Sequence, residues 1–185
     1  HGSALGAEEV AATKVALGLN PDESFVMPAD VLAHVRKVAE RGKETRNAWD
    51  QYLAQWQKNY PEKAALLHRL QSRELPNGWE KVLPTFSPEK EVSTRAASGK
   101  VINALATVMP ELWGGSADLA ESNNTSIEGG GSFLPPSSAM KNAKEDGRVI
   151  HFGIREHALG SIVNGITLHG LSRAFGGTFA VFSDY

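Results

Sequence analysis

No cysteine occurs in the 185 residues. Its absence excludes disulfides and thiolate metal sites and agrees with a cytosolic, reducing compartment, which is the expected location. No apolar run reaches the roughly 18 residues needed to span a bilayer, and no basic-then-apolar leader is present, so neither a transmembrane helix nor a signal peptide is expected. Charge of one sign is scarce too. The 19 basic and 21 acidic residues leave a net charge of -2, which predicts no broad affinity for nucleic acid or anionic membrane. The six histidines form no His-x-x-x-His pair on one predicted helix face, so a structural zinc site is not expected. Internal repeats and low-complexity tracts are absent apart from Gly129-Gly130-Gly131. The chain starts at His1 rather than Met and stops at Tyr185 just behind an apolar stretch; it is expected to be a piece of a larger protein.

What is present is concentrated at the end, in Arg148 to Tyr185. A short apolar run, Val149 to Phe152, stops at Gly153. A helical pattern from Ile154 to His169 stops at Gly170, and a β-prone run, Ala174 to Phe182, follows. Strand, helix and strand in that order predict a βαβ unit with parallel strands and a right-handed crossover. The strand-to-helix turn of such a unit lies at the carboxyl end of the sheet, where open α/β folds bind ligands. That turn carries Arg155, Glu156 and His157.

Upstream, glycine-rich residues 1–6 lead into a short amphipathic helix from Ala7 to Leu17, which Gly18 terminates. Ser24 to Met27 reads as extended, and Pro28 suits a helix start. From Ala29 to Ser72 the pattern is helical, with breaks expected near Gly42 and Pro61. Its apolar residues (Val31, Val35, Val38; Trp49, Leu53, Trp56; Leu66, Leu67, Leu70) recur at three-to-four spacing. A structural connector lying on another domain is the simplest account. Leu75 to Ser93, with Pro76, Pro84 and Pro88, reads as a linker or draped loop, and a domain boundary near Lys90 follows. Ser93 is an expected N-cap for a helix from Thr94 to Val108, closed by Pro110. Leu112-Trp113 begins a short strand running into Gly114-Gly115-Ser116-Ala117-Asp118, which puts Asp118 in a second strand-end loop on the same edge as Glu156. Glu121 to Asp146 is polar and irregular, the mark of a functional or mobile stretch.

Each candidate has an ordinary structural reading. Glu156 in a first helical turn is stabilised as a carboxylate by the helix dipole, so capping or pairing with Arg155 is the default role. Phe179 and Phe182, three apart in the expected strand, would lie on opposite faces, and core is the default for both. Gly176-Gly177 and GGSAD match neither nucleotide fingerprint, which argues against a phosphate loop.

A resemblance shifts these readings. GGSADLAESNNT (Gly114 to Thr125), FGIREHALGSIVNGI (Phe152 to Ile166) and FGGTFAVFSDY (Phe175 to Tyr185) resemble three consecutive signatures of transketolase. HGSALG, NPDESFVMP, the helical connector, LPNGWEKVLP and STRAASGK agree in order and spacing, so the resemblance covers essentially the whole chain. The form GGSADLAESNNT with FSDY resembles the actinobacterial branch.

The resemblance implies an α/β fold in three parts. Residues 1–27 would be the C-terminal end of a diphosphate-binding domain, 28–90 a helical inter-domain connector, and 91–185 the N-terminal part of a mainly parallel-sheet, thiamine-diphosphate-binding pyrimidine domain. It implies transfer of a two-carbon ketol unit from a ketose phosphate such as xylulose 5-phosphate to an aldose phosphate such as ribose 5-phosphate, a reaction of the pentose phosphate pathway. The implied cofactors are thiamine diphosphate and Mg2+, the latter with ligands outside this chain. Glu156 matches the family's cofactor-activating glutamate, which hydrogen-bonds N1′ of the aminopyrimidine. Phe182 matches the aromatic stacked on the pyrimidine, and Phe179 and Tyr185 match residues lining its pocket. Asp118 matches an acid near the cofactor and the subunit interface. Arg95 and Ser122 match residues holding the substrate phosphate, for which a guanidinium and a hydroxyl are apt donors. His1 matches a substrate-site histidine of an HG-x-P-L-G motif whose proline is here Ala4. A homodimer with its active site at the subunit interface is implied. The Gly-Asp-Gly diphosphate motif is absent, so the stretch alone is expected to be inactive. A deoxyxylulose-phosphate-synthase-like thiamine enzyme, separable by pyruvate decarboxylation, and a non-catalytic interaction module are the alternatives. HGSALG and the long connector argue against the first; Glu156, Phe182, Arg95 and Asp118 together argue against the second.

Overall fold

A computed structural model describes residues 2–184. They form two compact units, one ending at Asn59 and the other beginning at Tyr60.

The first unit is helical. Helix α1 spans Ala7–Ala16 and helix α2 spans Ala29–Asn59. Gly18, at φ 73°, takes the left-handed conformation expected of a residue that ends a helix. The Lys14 ammonium then ties the following turn back to α1, donating to the carbonyl of Glu23 at 2.6 Å. Two expectations fail in this unit. Ser24 to Met27 is not a uniformly extended stretch, because Phe25 has φ 56°. Gly42 does not break α2, which runs through it for 31 residues. Glycine costs a helix about 0.5–1 kcal/mol relative to alanine but keeps its N–H, and a long cooperative helix absorbs that cost. Pro61 does break the chain, since the residue before a proline is driven out of the helical region, and Tyr60 sits at φ -133°, ψ 65°.

The second unit is a three-layer α/β structure. Helix α3 (Pro61–Gln71) and a 3-10 turn (Trp79–Val82) precede helix α4 (Thr94–Ala106). Ser93 caps α4, its hydroxyl accepting from the Ala96 N–H at 3.4 Å. Strand β1 (Leu112–Ser116) leads into a short helix α5 (Ala120–Asn123). Two-residue strands β2 (Ser132–Phe133) and β3 (Ala143–Lys144) follow inside the stretch expected to be irregular. Strand β4 (Val149–His151), helix α6 (Glu156–His169) and strand β5 (Arg173–Gly177) complete the unit, with Gly170 capping α6 at φ 90°.

Among the described residues the five strands form one sheet in the order β3-β2-β4-β1-β5, with every pair parallel. The expected βαβ unit is therefore present, with β1 lying between its two strands. Alternation along the strands distributes side chains to two faces. Val149 joins Ala106, Ile127, Ile102, Leu112 and Phe175 in one cluster, and Ile150 joins Ala117, Phe152, Leu159 and Val163 in the other. Helices α4 and α6 thus cover opposite faces. The centre of the sheet is crowded. A Cβ on Gly114 would meet the carbonyl oxygen of Phe175 in β5, and one on Gly115 would meet that of Ile150 in β4.

The amino end of the sheet is closed by charge. Glu111, whose side chain is 2 % exposed, receives Arg69 of α3 as a bidentate partner at 2.7 and 2.9 Å, and Arg173 approaches it at 3.5 Å. Burial works to raise the Glu111 carboxyl, but the Arg69 hydrogen bonds and the two guanidinium charges outweigh it and hold it below the usual carboxylate range. The remaining donors of Arg173 reach the carbonyls of Arg73 and Glu74.

Candidate functional site

Register fixes where the loops leave the other end. Ser116, last in β1, pairs with His151, last in β4, and with Gly177, last in β5. Three strand-end loops therefore depart side by side at the carboxyl edge. The first carries Asp118, the second leads to Glu156, and the third carries Phe179 and Phe182. Hydrogen bonds through Ser116 tie β1 to β5 and to helix α5. The Ser116 hydroxyl donates to the Gly177 carbonyl at 2.9 Å, and the Asn123 amide donates to Ser116 Oγ at 2.9 Å.

In the first loop Asp118 is exposed and adopts φ 60°, a left-handed conformation that aspartate tolerates better than most residues. With Ser116, Glu121, Ser122, His151, Gly153 and Arg155 it lines a cavity of about 440 Å³. Asp118 and Ser122 are thus brought to one concavity. His151 is held there by a 2.9 Å hydrogen bond between its Nε2 and the hydroxyl of the buried Ser132.

In the second loop the chain turns at Gly153 (φ 66°), where any Cβ would collide with the Arg155 guanidinium. That guanidinium folds back to donate to the Phe152 carbonyl at 3.0 Å. Helix α6 then starts at Glu156 rather than at Ile154. The default pairing of Glu156 with Arg155 is not what the molecule does: among the described residues Arg155 is committed to the backbone, and the half-buried Glu156 carboxylate has no hydrogen-bond or ion-pair partner. Glu156 itself does not line the 440 Å³ cavity.

The third loop corrects the sequence reading. Strand β5 ends at Gly177, because β1, the only strand it pairs with among the described residues, has already turned away at Ala117. Residues 180–182 form a 3-10 turn in which the Phe182 N–H donates to the Phe179 carbonyl at 2.9 Å. Phe179 and Phe182 are therefore the two ends of one tight turn, both half-buried, and not opposite faces of a strand. Thr178, between β5 and that turn, has a buried hydroxyl without a partner among the described residues.

Arg95 lies in the first turn of α4, exposed, and does not line the cavity. His1 and Tyr185 lie outside the described residues. No group of three or more histidine or acidic residues among the described residues is arranged to hold a metal ion. No helix among them is long and apolar enough to cross a membrane. Sequence reasoning missed Ser116, Asn123 and His151. The signal for Ser116 and His151 was positional, since each ends a strand that register brings level with the other; Asn123, in α5, is brought in only by its hydrogen bond to Ser116.

Two family models match. "Transketolase, thiamine diphosphate binding domain" matches residues 1–76, and "Transketolase, pyrimidine binding domain" matches residues 90–185. The chain is 52% identical over 188 residues to a transketolase of Mycobacterium leprae and 47% identical over 186 residues to one of Geobacillus stearothermophilus. In both cases all of this chain is aligned, but only 27% of the relative is covered, so the chain spans about a quarter of their length. Among solved structures, a transketolase from Pichia stipitis in complex with sedoheptulose 7-phosphate superposes with a TM-score of 0.82 at 38% identity, covering 97% of this chain and 26% of that one. A transketolase from Leishmania mexicana gives 0.80 at 35% identity, covering 97% and 26%.

Proposed function

Because this chain belongs to the transketolase family, we propose that the full-length protein moves a two-carbon ketol unit from a ketose phosphate to an aldose phosphate in the pentose phosphate pathway. Thiamine diphosphate and Mg2+ are its cofactors, and the metal ligands lie outside this stretch. Residues 1–27 end the diphosphate-binding domain, 28–90 connect, and 91–185 begin the pyrimidine-binding domain. The observation that carries the reading is the carboxyl edge of the sheet, where level strand ends deliver Asp118, Glu156 and the Phe179–Phe182 turn to one side.

The residues fit an aminopyrimidine. Glu156 is half-buried with an unpartnered carboxylate at a helix start, the Thr178 hydroxyl is buried and unsatisfied, and two half-buried aromatic rings flank one turn nearby. When bound, the cofactor supplies the nucleophilic thiazolium carbon that takes up and releases the two-carbon unit. Glu156 holds a proton at its carboxyl for N1′ of the pyrimidine, and commitment of Arg155 to the Phe152 carbonyl leaves that carboxyl free to do so. Phe182 stacks on the ring, Phe179 and Tyr185 wall the pocket, and these aromatics exclude water from it. Asp118 borders the cofactor and the subunit contact. Arg95, Ser122 and His1 bind the sugar phosphate. The active site forms between two copies of the full-length chain, and the protein is cytoplasmic.

The test is Glu156→Gln and Glu156→Ala in the full-length protein. Both should lower kcat for ketol transfer by about 10²–10⁴-fold with the melting temperature little changed. Intact ketol transfer together with unaltered cofactor affinity would overturn the proposal.

A further inference from the structure

We infer that Gly99 is a positioning residue: its contact with Asn124 sets the separation of Arg95 and Ser122, and through it the preference for phosphorylated over unphosphorylated sugars. The inference rests on the reading of Arg95 and Ser122 as the phosphate grip.

Arg95 and Gly99 stand four residues apart on α4 and so share a face one turn apart. Gly99 and Ala106, seven residues further along, are the buried residues of that helix, which identifies the face turned inward. Asn124 caps α5 two residues after Ser122 and takes φ 54°, ψ 47°. The two elements meet at Gly99. A Cβ there would lie 2.7 Å from Asn124 Cβ and 2.9 Å from the Asn124 carbonyl oxygen. Both distances are below van der Waals contact, and the second obstacle is backbone that cannot rotate aside. Any side chain at position 99 must push the α5 turn away from α4.

A second tie fixes the same joint. Asn103 donates its amide to the Gly99 carbonyl at 3.0 Å and to the Ser126 carbonyl at 3.1 Å, while its Oδ1 accepts from the Glu128 N–H at 2.8 Å. Asn103 therefore holds the segment beyond Asn124 to α4. The side chains of Arg95 and Ser122 make no hydrogen bond among the described residues. Nothing but the docking of their elements sets their spacing. A phosphate bridged by both needs each donor within about 2.7–2.9 Å, so a displaced α5 turn costs the grip directly. The bond from the Ser116 hydroxyl to the Gly177 carbonyl ties β1 to β5 without involving α5, whereas the bond from Asn123 to Ser116 anchors the far side of α5 itself to β1.

The experiment uses the full-length enzyme with its cofactors, comparing fructose 6-phosphate with fructose as ketol donor. Gly99→Ala should raise KM for the phosphorylated sugar about ten- to hundredfold, leaving kcat and the KM for the unphosphorylated sugar little changed. Asn103→Ala, which adds no atoms, should shift the same ratio by less and carries the test should Gly99→Ala fail to fold. Arg95→Ala is the reference and should abolish the preference. If Arg95→Ala leaves the preference intact, the phosphate reading falls and the inference with it. If Arg95→Ala abolishes it while Gly99→Ala and Asn103→Ala keep it, or lose both sugars equally, the positioning role is overturned and the reading of Arg95 stands.

Discussion

The two ends of the sheet spend their polar groups differently. At the amino end Glu111 is enclosed by Arg69 and Arg173, whose other donors reach backbone carbonyls. At the carboxyl end Glu156 has no partner among the described residues and the Thr178 hydroxyl is buried unsatisfied, while Asp118 is exposed at a left-handed φ. Charges that are buried and fully paired hold elements together; polar groups left unpaired beside half-buried aromatics await something the chain does not itself provide. The difference between a clamp and a site is thus visible in who partners whom.

The comparison is broken most decisively if Glu156→Ala and Glu111→Ala behave alike in the full-length protein. The first should remove activity by up to about 10⁴-fold while leaving unfolding by denaturant unchanged. The second should cost about 3–5 kcal/mol of stability, because it strands Arg69 beside a buried gap, yet the protein that remains folded should keep its ketol transfer. A smaller effect concerns pH. The folded-state affinity of Glu111 for its proton is lowered, so its contribution to stability is complete above the usual carboxylate pKa of about 4.3 and is lost as pH falls through the lower folded value. Acid titration of stability should therefore be shallower in Glu111→Gln than in the parent, and an identical acid limb would show that the clamp is not coupled to that proton. The smallest effect is expected at Ser93, the N-cap of α4. Ser93→Ala should cost about 1 kcal/mol with ketol transfer intact.

The legible parts of the sequence were those governed by local chemistry. The Ser93 cap, the stops at Gly18 and Gly170, the break at Pro61 and the parallel βαβ unit depend on neighbouring residues, and their signals sit within a turn or two. Gly42 misled because a break signal was read without the length of helix around it. Strands β2 and β3 were missed because two-residue strands have no period to detect; they exist only because the sheet edge offers them partners. The Phe179–Phe182 turn was misread for the mirror reason: β1 leaves the sheet, and an apolar run with strand propensity has nothing to pair with among the described residues. Glu111, Arg69 and Arg173 are far apart in sequence, so their meeting leaves no local trace. Glu156, by contrast, is a proposal that rests on a motif; what the fold adds is that Arg155 turns to the Phe152 carbonyl and leaves that carboxyl free.

The crowding at Gly114 and Gly115 has a consequence for how such proteins diversify. A replacement at Gly114 would push β5 away from β1, and one at Gly115 would push β4 away, so either would shift an exit loop relative to the one that leaves β1. Variation that survives must therefore collect in the loops themselves, where a residue can change without moving its neighbours. A sheet centre that admits no side chain thus divides the molecule into positions where a mutation moves the frame and positions where it changes only what the frame presents.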